Sequence, residues 1–486
     1  MIAGEHSPPA VSAEYERIPE MTRRTAVRCL WGIAGLGWRT LRLQGQNAPD
    51  SFRVYSESPR LLLRPARLKL LRRERERRSL RWDQFETLWT AGAQFPESGV
   101  AQAFRYRIAD DRESGVRAVA WAVGPAGSGD IRQIALIADW CAPLISKDDM
   151  GLIAAKLRRE IADVRNIKSL DDARTKLFAA IALSDLDPAM SERAIQAVIG
   201  GFWNGNLIPG LRGAAQTVPN PDAYALLEIL HAVRDNLNFD LRETFPKWFE
   251  QYPVVHLMAH YPAPWPDADN EFRIPADETI ETRGPDMRKA TISRAAELAM
   301  VAYDSNAATS QLLQGWLMND RFLMRGALGI LYELLWANPY QPGLSYQHVP
   351  VALHDEIGGQ LYVRSSWNDD ASWAGYFRGQ LQLFSEGSVT RIDPLLAREP
   401  LDLDGTLVIF ARNTKQFATP SGRSGDEGSD TAGVFLVGLD VGSGYHIEVD
   451  GEEMVEEKAD PGGIVFLPEV PRGAGVRLKV RPRGDS

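Results

Sequence analysis

Asn338-Pro-Tyr-Gln-Pro-Gly343 divides this 486-residue chain into two kinds of sequence. Before it, from about Ser58, apolar residues recur at helical spacing in segments parted by short Pro, Gly and Asp breaks. The spacing predicts helices over 65–79, 82–93, 98–109, 114–123, 130–145, 148–165, 170–184, 189–203, 221–236, 240–260, 288–303, 307–319 and 321–337. Ser169 and Asp222 stand where N-caps belong. Some segments are apolar on two faces, as in Ile134-Ala-Leu-Ile-Ala-Asp-Trp-Cys141, which suits helices packed in two concentric layers. After the divide the period shortens to two, and the pattern predicts strands at 361–364, 373–377, 380–384, 406–410, 434–439, 445–449, 464–467 and 476–480. Residues 413–431, rich in Gly, Ser and charge, read as a polar loop. Many helices followed by many strands imply a multidomain α+β protein, an all-α domain joined to an antiparallel β-sandwich.

Composition bounds the function. The chain is 44% hydrophobic and 24% charged, which excludes collagen, disorder throughout and a disulfide scaffold. No stretch approaches the ~20 apolar residues of a membrane span. The net charge is -9, yet basic residues concentrate in residues 21–82. The remaining body is acidic and repels nucleic acid. The run Arg60 to Arg81 reads RLLLRPARLKLLRRERERRSLR, with Leu61, Leu68 and Leu71 at roughly helical spacing. It is either a solvated helix docked by one face or a polyanion-binding strip. Met21-Thr-Arg-Arg-Thr-Ala-Val-Arg28, followed by ten uncharged residues from Cys29 to Trp38, matches a twin-arginine export signal at 21–38. That predicts a start at Met21, an export signal and linker over 1–50, and a periplasmic or secreted protein; an ordinary N-terminal helix is the alternative. Of the two cysteines, Cys29 lies in this leader, so Cys141 is left without a partner.

Four stretches resemble the heparinase II/III-like members of the alginate and chondroitin lyase superfamily. They are Ser58-Pro-Arg-Leu-Leu-Leu-Arg-Pro-Ala-Arg-Leu68, Gln133-Ile-Ala-Leu-Ile-Ala-Asp-Trp-Cys-Ala-Pro-Leu-Ile-Ser146, Leu335-Trp-Ala-Asn-Pro339 and Leu361-Tyr-Val-Arg-Ser-Ser-Trp-Asn-Asp-Asp-Ala-Ser-Trp373. The resemblance implies an (α/α) toroid over 51–342 and a β-sandwich over 343–486. It implies β-elimination on a uronic-acid-containing polysaccharide, with Tyr and His moving protons and no cofactor or metal. Carried onto this chain, it nominates His260, Tyr261 and His348 as catalytic, and Tyr346, Arg364, Glu271 and Trp265 as substrate-binding. The family's histidine-bearing sandwich loop is missing, because Gly379 runs directly into Gln380-Leu-Gln-Leu-Phe384. The helix start at Ser169-Leu-Asp-Asp-Ala-Arg-Thr-Lys-Leu177 also lacks the family's Asn and His. The alternative is therefore a non-catalytic glycan-binding or structural relative that has lost the lyase site.

The residues themselves leave several readings open. His256 and His260 stand at i, i+4 on one helical face, as a structural pair, a cleft pair or a metal pair lacking its third ligand. Tyr224 and His231 share a face seven residues apart, suiting either proton transfer or a core helix with polar tips. Trp203, Trp248, Trp265, Trp316 and Trp336 are sugar platforms or core. Arg321, Arg325 and Arg364 are carboxylate clamps or buried ion pairs. The acidic run Asp450–Asp460 reads as a solvated hairpin rather than a calcium loop. No G-x-S-x-G, P-loop or C-x-x-C motif occurs.

Overall fold

Serine and aspartate open the helices. Ser79, Asp111, Asp130, Ser146, Ser169 and Asp187 each accept a hydrogen bond from the backbone N–H three residues on, covering a donor that the first turn leaves free. Asp222 is not a cap: the helix begins two residues earlier, at Asn220-Pro221, where proline loses no needed N–H. The computed structural model describes residues 52–480 except 128, 214–217, 219, 266–272, 277–286, 321–323, 393–399, 404, 411–415, 420, 422–429 and 452. The twin-arginine-like stretch, Glu271 and Arg321 lie outside the described residues.

The helices are Pro65–Glu76, Leu80–Thr90, Ser98–Ala109, Arg112–Val123, Ile131–Trp140, Lys147–Ala162, Leu170–Leu183, Pro188–Gln196, Ile208–Arg212, Asn220–Leu237, Pro246–Met258, Met287–Tyr303, Ala308–Asn319 and Ile330–Trp336. Ile208–Arg212 was not expected, the segment expected over 130–145 is α-helical only over Ile131–Trp140, and three further segments differ in a way their residues explain. The segment expected over 189–203 is α-helical only to Gln196 and widens into a π-helical stretch, Ala197–Leu207, that holds Gly200, Gly201 and Gly205. The segment expected over 240–260 starts at Pro246 and ends at Met258. The last helix is short, because Gly326 and Gly329 precede its first residue, Ile330. No described helix is long and apolar enough to cross a membrane.

Distant segments lock together through buried polar contacts. The N–H groups of Arg60 and Leu61 donate to Asp139 Oδ2 at 2.8 and 2.9 Å, and Trp140 Nε1 donates to Leu61 O at 2.8 Å. The basic run docks Leu68, Leu71 and Glu74 inward. Arg67 donates to Leu335 O, and Arg81 to Glu333 O and Ala337 O, so two cations serve carbonyls at the end of Ile330–Trp336. The opposite face of Pro65–Glu76 leaves Lys69 and Arg73 exposed, with Arg77 just beyond.

The Pro-Gly343 connector crosses the Ala308–Asn319 helix at Gly315. A Cβ on Gly343 would sit 2.5 Å from Gly315 Cα, so glycine is required where two backbones meet. Strands follow in three sheets. The first runs β1 (Ala352–Asp355), β2 (Gln360–Arg364), β3 (Trp373–Phe377), β4 (Gln380–Ser385) and β5 (Ser388–Ile392), all antiparallel neighbours. The second orders β6 (Leu401–Leu403), β7 (Thr406–Phe410), β9 (Thr431–Val437) and β12 (Val465–Pro471), and the third β8 (Gln416–Ala418), β13 (Gly475–Val480), β10 (Gly444–Val449) and β11 (Glu453–Lys458). Two expectations are corrected here. The sheets are not wholly antiparallel: β7 and β9 pair in parallel, since the chain leaves through β8 of another sheet before returning. The region 413–431 is not all loop, because Gln416–Ala418 pairs with β13. The acidic run does form a hairpin, β10–β11, turning at Asp450-Gly451.

Alternation within the first sheet decides what meets the helices. Tyr362, Trp373, Phe377 and Phe384 join the helical core. Their neighbours Leu361, Val363, Ala374, Tyr376 and Leu381 face the other way and pack with Leu403, Val408, Phe435 and Val437 of the second sheet. The second sheet's far face, through Leu407, Val434 and Leu436, packs with Phe417, Ile447, Val476 and Leu478 of the third.

Candidate functional site

Of the nominated residues, His260, Tyr261, Trp265 and Arg364 lie together where the end of Pro246–Met258 meets the first sheet. His256 lies on that helix and His260 just past it. His260 forms an antiparallel bridge with Pro275, and Ala276 N donates to Ala259 O at 2.8 Å, so the loop between leaves and returns at one place. Across from them, Met287–Tyr303 presents Ser293, Arg294 and Glu297, whose polar side chains are buried among alanines.

These groups make a dense network. Glu297 Oε1 lies 3.2 Å from His256 Nε2 and 3.1 Å from His260 Nε2. Glu297 Oε2 accepts from Arg294 Nε at 2.7 Å, and Arg294 also reaches Asp320. Trp316 covers His260, with ring centroids 4.5 Å apart, and Arg294 lies over the same indole. Burial alone would raise the Glu297 carboxyl, but Arg294 and the two imidazoles hold it well below the usual carboxylate range. Burial pushes the His260 imidazole below its ordinary value, against the pull of Glu297.

Tyr261 points the other way. Its hydroxyl donates to Gln382 Oε1 at 2.7 Å, and its ring stacks on Phe384 and meets the edge of Trp373. Gln382 comes from β4 and is itself fully buried. Arg364, at the end of β2, is 3% exposed and donates from Nη2 to His260 O at 2.8 Å. Its guanidinium lies 4.0 Å from the Trp367 ring centroid, and its Nε has no hydrogen-bond partner. Burial, then the nearby Arg273, pulls its pKa down to about 9.

The nominated triad is therefore not assembled. His260 and Tyr261 are adjacent but committed to different buried partners. His348 is exposed on the short turn Tyr346–His348, and no contact links it to either of them among the described residues. Tyr346 and Trp265 are half-buried; Tyr346 meets Trp367 edge-on at 5.3 Å and Trp265 meets Tyr261 at 5.9 Å. Arg364 is corrected from a groove residue to a core one, because its β2 position faces the helices and not solvent.

Elsewhere, Tyr224 and His231 are buried core. Tyr224 accepts from Trp336 Nε1 at 3.0 Å, and His231 bonds Ala299 O at 2.9 Å. Trp203, Trp248, Trp316 and Trp336 are buried. Arg325 lies 3.8 Å from Glu333.

Glu297, Arg294, Asp320 and Gln382 were missed in the sequence. Arg294-Ala-Ala-Glu297 in an alanine-rich helix was the available signal, since such an i, i+3 charge pair among small apolar residues belongs inside. No protein-family model matches the chain, and no curated protein matches it.

Proposed function

We propose that this chain is a non-catalytic relative of the heparinase II/III-like lyases, an (α/α) toroid carrying a β-sandwich, exported and binding an anionic glycan at its surface. The observation that carries the loss of catalysis is Tyr261. Its hydroxyl is a buried donor to Gln382, while both ring nitrogens of His260 face protein groups. A general base has to reach the proton it removes, within one hydrogen bond or one water. Neither side chain presents a free atom to a substrate.

Binding has a different place to act. Lys69, Arg73 and Arg77 follow one another at four-residue intervals along the Pro65–Glu76 face and its C-cap, all exposed, and none pairs with a carboxylate among the described residues. Leu70, Arg73, Glu74, Arg77 and Tyr340 line a shallow depression there, and Tyr340 is 64% exposed. Unpaired cations beside an exposed aromatic ring suit sulfated or carboxylated sugars. The lyase reading keeps one supporting observation, the buried Arg364 without a carboxylate partner among the described residues.

One experiment separates the two readings. The chain is incubated with a panel of uronic-acid polysaccharides, and unsaturated product is followed in the ultraviolet. We expect none, together with retention on an immobilised anionic glycan that weakens as salt rises. The Lys69→Ala/Arg73→Ala/Arg77→Ala variant should lose that retention and keep its melting temperature. Unsaturated product from any substrate overturns the proposal; equal retention of the triple variant removes the proposed surface.

A further inference from the structure

We propose that His256, His260 and Glu297 form a closed transition-metal site, and that zinc is the ion these donors suit best. One ring nitrogen of each histidine and a carboxylate oxygen of Glu297 lie within 4.8 Å of one another, all three residues being buried. The two nitrogen-to-oxygen separations are 3.2 and 3.1 Å. Ligands bound at about 2.0–2.1 Å in tetrahedral geometry stand about 3.3 Å apart, so both nitrogen-to-oxygen separations already match, and the two imidazoles close on the ion from a separation of at most 4.8 Å. Two imidazoles and one carboxylate are a zinc donor set.

A second observation points to a cation independently. His260 Nδ1 lies 3.0 Å from His256 O. A carbonyl only accepts, so Nδ1 carries the hydrogen. In a neutral ring Nε2 then holds a lone pair, yet it faces Glu297 Oε1, which is another acceptor. That oxygen is also approached by His256 Nε2 and, at 3.4 Å, by the Ser293 hydroxyl. An ion between the nitrogens and Oε1 resolves the clash of lone pairs. The Nδ1–H to carbonyl bond is the outer contact that a metal-bound histidine makes, fixing its tautomer and aim. Arg294 holds Oε2 and leaves Oε1 for the ion.

His231 provides the internal control. It is equally buried, but its Nε2 meets Ala299 O at 2.9 Å and its Nδ1 meets Arg234 Nη2 at 3.2 Å, one acceptor and one donor. A neutral ring satisfies both, so burial of a histidine does not by itself create the His260 arrangement. The fourth position falls to Ser293 Oγ or a single water. Because the site is closed, the ion enters as the chain folds, and it ties Pro246–Met258 to Met287–Tyr303 beside the first sheet. The rival occupant is a proton, making His260 an imidazolium.

The test uses the full chain, purified without a polyhistidine tag. Its metal content is measured, and it is unfolded with chelator and refolded with Zn²⁺, with Co²⁺ or with neither. We expect about one zinc per chain as purified. We also expect strong visible absorption of four-coordinate Co²⁺ after cobalt refolding, and a melting temperature several degrees lower without metal. His256→Gln should reduce zinc occupancy more than tenfold at matched free zinc. If that variant does not fold, the cobalt spectrum of the unaltered chain decides alone. A chain that refolds fully without metal and takes up neither ion overturns the proposal. So does unchanged zinc content in a folded His256→Gln, or nitrogen NMR showing both His260 nitrogens protonated in the zinc-refolded protein.

Discussion

Among the buried charge clusters of the described helices, those around Glu228 and Glu297 are solved differently. Around Glu228, the carboxylate takes Arg132 Nε at 2.9 Å and Arg132 Nη2 at 2.5 Å, with Arg174 at 3.2 Å. Glu97 then takes Arg132 Nη1 and the Tyr332 hydroxyl. All three guanidinium nitrogens of Arg132 meet a carboxylate there, while Arg174 Nε has no hydrogen-bond partner. Around Glu297, two imidazoles, a hydroxyl and an arginine converge on one carboxylate, and the donor count fails by one at His260. The difference teaches that buried charge alone does not mark a site. A carboxylate met by arginine donors is scaffold, whereas at His260 two acceptors face each other, the arrangement that the proposed ion would resolve.

The comparison can be broken most severely at Glu228. Glu228→Gln leaves Arg132 and Arg174 buried beside a neutral amide, which should cost about 3–5 kcal/mol in urea denaturation. A loss below about 1 kcal/mol would mean that the cluster is not closed scaffold. Acid sharpens the point. Burial would raise Glu228, but Arg132 and Arg174 hold it below its ordinary value. Its stabilisation is thus whole above the unfolded-state glutamate pKa, about 4.3, and is lost as pH falls through the lower folded value. The gap between the unaltered chain and Glu228→Gln should therefore close below about pH 4. Glu333 carries the opposite sign, because burial raises it above the ordinary value despite Arg81 and Arg325. Its ionisation costs stability as pH rises, so Glu333→Gln should gain relative to the unaltered chain between pH 4 and pH 8, read by melting temperature.

Smaller effects belong to the seam. Tyr261→Phe removes the hydrogen bond to Gln382 Oε1 and should cost about 1–1.5 kcal/mol, with the fold unchanged by circular dichroism. A change in sugar turnover without a change in stability would restore Tyr261 to catalysis. The smallest effect is expected at Arg364. Arg364→Met removes one bond to His260 O and one desolvated cation, and an apolar replacement of similar volume should leave stability within about 1 kcal/mol. A loss of more than about 3 kcal/mol would show that Arg364 has an anionic partner after all.

Much of the fold was legible from period alone. Ser98–Ala109, Trp373–Phe377 and Thr406–Phe410 coincide with the segments read from the sequence. Such patterns are local: i, i+4 and i, i+2 neighbours share a face whatever the rest of the chain does. Boundaries failed where backbone chemistry overrode the pattern, at the glycines after Gln196 and at Pro246. The short strands β1 (Ala352–Asp355) and β8 (Gln416–Ala418) were missed because their pairing partners, not their own residues, make them strands.

The site divides along the same line. By itself the sequence determined that His256 and His260 share a face, that Tyr261 follows, and that Gly379 runs straight into β4 without a histidine loop. Only the tertiary structure decided that Glu297, 37 residues beyond His260, meets both histidines. It also decided that Gln382, 121 residues beyond Tyr261, takes its hydroxyl. Helical and strand periods are properties of neighbouring residues. The partner of a buried polar atom is set by which faces pack together, and burial then makes that partner obligatory, because an unmatched donor or acceptor away from water costs about 1–3 kcal/mol.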